Sequence, residues 1–271
     1  MTADTLRAWV EIDIDAFIHN LGVAKKLTGT KVMAVVKGNA HGHGAVKASL
    51  ALEAHGADAF AVACMSEAIE LREAGIQAPI LVLGWTPAEC ARQLADYGIA
   101  QSVMDEDYAL ELNEAAAAAG KVVDIHAKLD TGMSRTGIFA QENPAEAAQI
   151  VSRIANLPNL NIKGIFTHYA AADMPEKDDF TAWQLSNYKA VLRALETLGF
   201  DKPVVHHTGN SACILNHPET YFDMVRMGVM MYGLYPDGVF PKDGPLKQAL
   251  TLKARVAQVK QLPAGAAISY G

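Results

Sequence analysis

Residues 32–44 read VMAVVKGNAHGHG. Five apolar residues follow one another with no polar alternate, which suits a strand buried on both faces. The run stops at Lys37 and gives way to a turn rich in Gly and His. Seven more short, apolar-rich runs lie downstream, at 59–63 (AFAVA), 80–83 (ILVL), 99–103 (IAQSV), 122–127 (VVDIHA), 162–166 (IKGIF), 204–206 (VVH) and 224–228 (MVRMG). Stretches with a period near 3.6 separate them, at 45–54, 66–74, 87–97, 106–119, 144–155 and 180–198. Thr86 before Pro87, and Ser66, read as helix N-caps.

Repeated strand–helix units imply right-handed crossovers and a parallel sheet. Eight of them predict an α/β fold of the (β/α)8 type, a TIM-like barrel, for which 271 residues is a natural length. An open doubly wound sheet is the alternative. Outside the barrel units, residues 8–14 (AWVEIDI) alternate like a strand and 15–27 read as a helix. Residues 236–245 (PDGVFPKDGP) are dense in turn formers and predict a linker, and 251–262 alternate like a half-buried strand. Two strands cannot bury a core of their own, since units below ~40 residues seldom fold unaided. The expected organisation is a leading strand at 1–14 packing with a C-terminal domain, a barrel at 15–236, and at 237–271 a linker and the incomplete start of a β-rich C-terminal domain.

With 23 Lys+Arg, 30 Asp+Glu and a net charge of -7, the chain is a poor candidate for general nucleic-acid binding. Hydrophobic residues make up 51% of it, enough for a large core. Cys64, Cys90 and Cys213 are scattered, with no CxxC spacing, which argues against a disulfide framework or a cysteine metal site and for a reducing compartment. No signal peptide or membrane-length apolar segment is evident, so a cytoplasmic location is expected, with no membrane partner and no metal.

Active sites of such barrels form at the C-terminal ends of the strands. Those ends carry Lys37 with GNAHGHG, then KLDTGMSR (128–135), Thr167-His168, HHTGNS (206–211), and Arg226 with Gly228. Lys37 follows a buried run, where an ammonium is costly unless paired or deprotonated, and Schiff-base lysines occupy such places. A lysine snorkelling to solvent is the plainer alternative. Gly209-Asn210-Ser211 offers backbone N–H groups to a phosphate, or is an ordinary strand-to-helix turn. Arg135, His168 and Arg226 taken singly read equally as a rim salt bridge, a satisfied strand-end histidine and an interior ion-pair partner, and Tyr270 as a frayed terminal residue.

Together, VVKGNAHGHG, KLDTGMSRTG, FTHYAAAD, HTGNSA, VRMGVMMYGLYP and ISYG resemble, in order from Trp9 to Gly271, segments of the bacterial alanine racemases. The resemblance implies a pyridoxal 5'-phosphate enzyme, an isomerase that interconverts L- and D-alanine and supplies D-alanine for peptidoglycan. It implies a homodimer with shared sites. Lys37 matches the lysine that holds the cofactor and serves as one catalytic base, and Tyr270 the second base, delivered by the other subunit. Arg135 matches the arginine organising substrate and tyrosine, and His168 the histidine bonded to that tyrosine. Arg226 matches the arginine facing the pyridine nitrogen. Asn210, Ser211 and Gly228 fall in the phosphate site, and Lys128 matches a lysine often carbamylated. A phenol titrating near 10 needs cations or donors to serve as a base, and a donor-only Arg226 leaves the pyridine nitrogen unprotonated.

Three departures from the family pattern stand out. Gly38 replaces an alanine, His41 replaces a tyrosine of the phosphate environment, and most of the family's C-terminal domain is missing from this sequence. Poor activity is expected if that domain is lacking. A broad-specificity or serine racemase, or a non-catalytic pyridoxal-phosphate-binding barrel, are the rival readings.

Overall fold

A computed structural model describes residues 5–236 and 244–270. It opens with β1 (Ala8–Ile12) and α1 (Ile14–Thr28), then alternates. The first half runs β2 (Lys31–Val35), a short turn α2 (Lys37–His41), α3 (Ala45–Ala54), β3 (Ala59–Val62), α4 (Met65–Glu73), β4 (Ile80–Val82), α5 (Ala91–Asp96) and β5 (Ile99–Val103). The second runs α6 (Glu106–Ala119), β6 (Val123–Asp130), β7 (Ile138–Phe139), α7 (Pro144–Ala155), β8 (Leu160–Phe166), α8 (Asp178–Thr197), β9 (Val205–His207), α9 (Ser211–Asn216), β10 (Met224–Met227) and β11 (Leu250–Ala254).

Eight strands pair in parallel in the order β10-β2-β3-β4-β5-β6-β8-β9. The two ends of this path meet through main-chain bonds, Asp223 N–H to the His206 carbonyl (3.1 Å) and Arg226 N–H to that of Gly209 (2.8 Å). The sheet is thus a nearly closed barrel, as the alternation predicts. Strand period two sorts its residues. Val32, Ala34 and Val36 pack outward in the large core under the helices. Met33, Val35, Ala59, Ala61, Leu81, Ala100 and Met224 fill the interior. The same parity carries His126 and Lys128 on β6, Phe166 on β8, His207 on β9 and Arg226 on β10 to the inside, and continues to Lys37, His168 and Gly228 just past the ends of β2, β8 and β10.

The helices begin where local chemistry tells them to. Asp13, Asp105 and Asn143 accept from Ala16, Tyr108 and Glu146 N–H at the starts of α1, α6 and α7. Two expected caps are not caps. Ser66 lies inside α4, whose first turn follows Cys64 in extended backbone, and its hydroxyl meets the Cys64 sulfur at 3.2 Å. Thr86 precedes a 3-10 turn over Ala88–Cys90, and its buried hydroxyl has no partner among the described residues. The short strand β7, which pairs with β6 outside the barrel path, carries no sequence signal of its own.

Beyond Pro236 the expected linker falls largely on 237–243, outside the described residues. The chain is then held against α1 by buried Asn20. Its amide donates to the carbonyls of Met231 (3.1 Å) and Lys247 (2.7 Å) and accepts from Lys247 N–H (2.8 Å). β11 pairs antiparallel with β1, Ala8 opposite Ala254. The strand expected over 251–262 ends at Ala254, because β1 offers no further residues; Arg255 N–H to the Arg7 carbonyl (2.8 Å) is the last rung. Residues 255–270 are exposed and outside any strand.

Asn20→Ala leaves a buried N–H and two carbonyls short of partners. It should cost about 2–4 kcal/mol in urea unfolding, with the slope unchanged; an effect under about 0.5 kcal/mol would show that this staple is dispensable.

Candidate active site

At the C-terminal ends of the strands lies a cavity of about 620 Å³. Eight of the nine residues expected to act here line it: Lys37, His41, Arg135, His168, Asn210, Ser211, Arg226 and Gly228, with Lys128 beside them. Tyr270 does not. It is fully exposed and apart from the cavity. Of the two readings of Lys37, the structure bears out the exposed one: its side chain stands exposed in the cavity, because the buried run ends at Val36 and the barrel opens there.

Directly after Lys37 the backbone turns left-handed. Gly38, Asn39, Ala40 and His41 have φ of 63°, 52°, 51° and 51°. Such a turn costs roughly 1–2 kcal/mol for each non-glycine residue. Neighbours hold it in place. Glu67 on α4 accepts from Gly38 N–H (2.7 Å) and Ala63 N–H (2.8 Å), and the Asn39 side chain accepts from Ala45 N–H (2.8 Å).

Arg226 is buried in the barrel, with no carboxylate against it among the described residues. Nη1 donates to the carbonyl and to Nδ1 of His207, the latter at 3.2 Å. Nη2 reaches the carbonyls of Thr167 (2.7 Å) and Thr208 (3.0 Å) and Nδ1 of His168 (3.1 Å). Burial lowers its pKa to about 10, so the charge persists. Nε–H is the guanidinium donor with no partner among the described residues.

Because Arg226 only donates, both histidine Nδ1 atoms must accept. His207 therefore carries its hydrogen on Nε2 and passes it to His126 Nδ1 (2.8 Å). Burial, then the charge of Arg226, lowers His126 to about 4; burial, His126 and Arg226 push His207 well down. His207 stacks on Phe166, centroids 4.7 Å apart. Room for the histidine pair comes from Gly164 on β8, where a Cβ would lie 2.3 Å from His126 Nδ1. His168 is driven to about 3 by burial and the cations Arg226, Arg135, Lys128 and Lys37. It is neutral, with its hydrogen on Nε2. His207 and His126 stand within HHTGNS and VVDIHA without a recognisable motif of their own; interior parity is the one sequence signal that marks them.

Burial, then Arg135 and Arg226, lowers Lys128 to about 8, against a smaller opposing effect of Asp130. Its ammonium contacts the Thr136 hydroxyl. On the opposite wall the Ser211 hydroxyl accepts from Gly228 N–H (2.9 Å) and Met230 N–H (3.3 Å), which leaves its own O–H to donate. The Asn210 side chain is committed elsewhere, accepting from Cys213 N–H (3.1 Å) and donating to the Tyr169 carbonyl (3.3 Å), so it shapes the wall. Among the described residues, Lys37, Lys128, Arg135 and Arg226 face one carboxylate, Asp173, along the lining. A cation-rich cavity inside a protein of net charge -7 suits a small anion.

The family model described as alanine racemase, N-terminal domain, matches residues 12–236. The chain is 44% identical over 274 residues to the alanine racemase of Desulfosudis oleivorans, covering 97% of this chain and 69% of that protein. It is 43% identical over 265 residues to that of Clostridium perfringens, covering 97% and 67%. The solved alanine racemase of Streptomyces coelicolor A3(2) superposes with a TM-score of 0.89 at 34% identity, over 100% of this chain and 72% of that one. The alanine racemase of Clostridium difficile 630 in complex with cycloserine gives 0.86 at 36%, over 95% and 70%.

Lys128 carries a testable stability signature. Its folded pKa lies below the unfolded one, so between the two the unfolded chain binds more protons and stability rises with pH. In carbon-dioxide-free buffer the wild type should gain roughly 1–2 kcal/mol relative to Lys128→Met between pH 8 and pH 10. A flat difference would mean that the amine is not held in a desolvated site.

Proposed function

The chain belongs to the alanine racemase family, and on that footing we propose that it interconverts L-alanine and D-alanine with pyridoxal 5'-phosphate held at Lys37. The observation that carries this reading is Arg226, a buried guanidinium satisfied by carbonyls and neutral histidines, with one donor left for a group that can only accept. The lining fits the cofactor in kind. Lys37 offers the amine, Arg226 would face the ring nitrogen, and the Ser211 hydroxyl, Gly228 and His41 would meet the phosphate, with Asn210 shaping that wall. When bound, pyridoxal phosphate withdraws electrons from the amino acid and makes its α-hydrogen acidic. A donor-only Arg226 would leave the ring nitrogen unprotonated, which would moderate that withdrawal and disfavour transamination.

Racemisation removes the α-proton from one face and returns it to the other, so two bases are needed. Lys37 serves one face. Tyr270 serves the other, and we assign it to a second copy of the chain, since in its own chain it is exposed and remote from the cavity. His168 prepares the phenol. Its Nδ1 is occupied by Arg226, so Nε2–H can donate to the phenolate oxygen and favour the ionised form. Arg135, exposed on the cavity wall, would orient the substrate carboxylate. Lys128, lowered to about 8, has the neutral amine fraction that carbamylation requires. The β1–β11 pairing supports assigning residues 1–14 and 237–271 to one β-rich unit beside the barrel at 15–236. The product D-alanine would serve peptidoglycan synthesis.

Borohydride reduction of the cofactor-loaded protein should leave a pyridoxyl group on the peptide that contains Lys37. Lys37→Ala should lose that adduct and at least about 10³-fold of the racemisation followed by optical rotation. An adduct on Lys128, with Lys37 unmodified, would overturn the assignment.

A further inference from the structure

His41 closes the left-handed turn and lines the cavity, and one of its ring nitrogens is tied. The Tyr232 hydroxyl donates to the main-chain carbonyl of Val35 (3.0 Å) and lies 3.0 Å from His41 Nδ1. A phenol has one hydrogen to give. Since Val35 takes it, the contact with His41 requires a hydrogen on Nδ1. A neutral His41 is therefore the Nδ1–H tautomer, and Nε2 presents a lone pair. A lone pair repels an anion; the imidazolium alone donates from both nitrogens.

We propose that His41 binds the anionic group of the cofactor only as an imidazolium, so that seating the anion takes up a proton. The proposal rests on the reading of this cavity as a pyridoxal-phosphate site and adds the charge state of one of its walls. The titratable groups facing His41 are Lys37 and His43 on its own segment, Glu67 on α4 and Tyr232 from the turn after β10. Burial, Lys37 and His43 push His41 below its ordinary value, and Glu67 partly opposes them. The imidazole is then neutral near pH 7 without an anion, and a dianion set against it reverses the balance. His43 is no substitute donor, because its Nδ1 already meets the carbonyls of Ala40 (2.9 Å) and His41 (3.3 Å). A group protonated only in the complex makes affinity fall as pH rises, by up to about tenfold per pH unit. A tyrosine in this place donates at every pH below its own titration and gives no such slope.

The test measures binding of pyridoxal 5'-phosphate to the full chain by absorbance from pH 6 to pH 9, for wild type, His41→Tyr and Tyr232→Phe. Pyridoxal lacking the phosphate runs in parallel, and calorimetry in two buffers of different ionisation heat counts protons. Wild type should lose affinity with pH more steeply than His41→Tyr, by up to about tenfold per unit, and take up as much as one more proton. Pyridoxal should show no difference between the two. Tyr232→Phe frees Nδ1 to accept, so neutral His41 can donate from Nε2 and the slope should flatten. Two-bond proton–nitrogen correlation should find the Nδ1–H tautomer in the free protein. Equal slopes in wild type and His41→Tyr, with both carrying the cofactor on Lys37, would overturn the proton linkage and leave the site reading standing. Wild type that fails to bind the cofactor, or binds it no better than pyridoxal, would overturn both.

Discussion

The structure is organised around a positive charge that has nowhere to go. Burying a guanidinium without a carboxylate is costly unless its donors find acceptors, and here all but Nε–H do so within the chain. The ends of β8 and β9 supply these acceptors as main-chain carbonyls of Thr167, His207 and Thr208. The side chains around it conform. His207 and His168 must offer lone pairs, His126 must receive the hydrogen that His207 passes on, and β8 must carry glycine at 164. The same residue's backbone N–H bonds the Gly209 carbonyl at the seam where β9 and β10 meet. One residue thus closes the barrel with its main chain and sets the protonation of the site with its side chain.

Uncharged histidines accompany this arrangement. Burial is the main cause that keeps His168 and His207 unprotonated through the physiological range, and the charge of Arg226 adds to it. The guanidinium donors fix which nitrogen bears the hydrogen. Direction of hydrogen bonding is therefore built in.

What could be read in the sequence is what depends on neighbours along the chain. The run at 32–36 and its seven companions became the barrel strands because a doubly buried strand needs a predominantly apolar stretch, even where residues such as Gln101, His126 or Arg226 interrupt it. Helices α3, α6 and α7 have the bounds that their periodicity gives, the last two with a cap residue next to the first turn. Ser66 and Thr86 misled because a hydroxyl caps only if tertiary packing leaves it facing the helix end. The His126–His207 pair joins positions 81 apart, so neither motif announces the other. Most opaque is the turn after Lys37. GNAHGHG marks a break in regular structure, but an alanine at φ 51° contradicts its own preference and exists only because Glu67 and Asn39 hold the segment from outside. Most of the site residues named from the sequence do line the cavity, but the remoteness of Tyr270 was not legible there.

The β1–β11 ribbon pairs two strands that have the whole barrel between them in sequence. Loop-closure entropy makes so distant a pairing the least favourable first step in folding. Until the barrel has drawn Met231 and Lys247 onto Asn20, the ribbon's strands have no reason to meet. The ribbon is consequently a late event in folding and an early one in unfolding. During synthesis β1 waits unpaired for nearly the whole time that the ribosome takes to reach its partner.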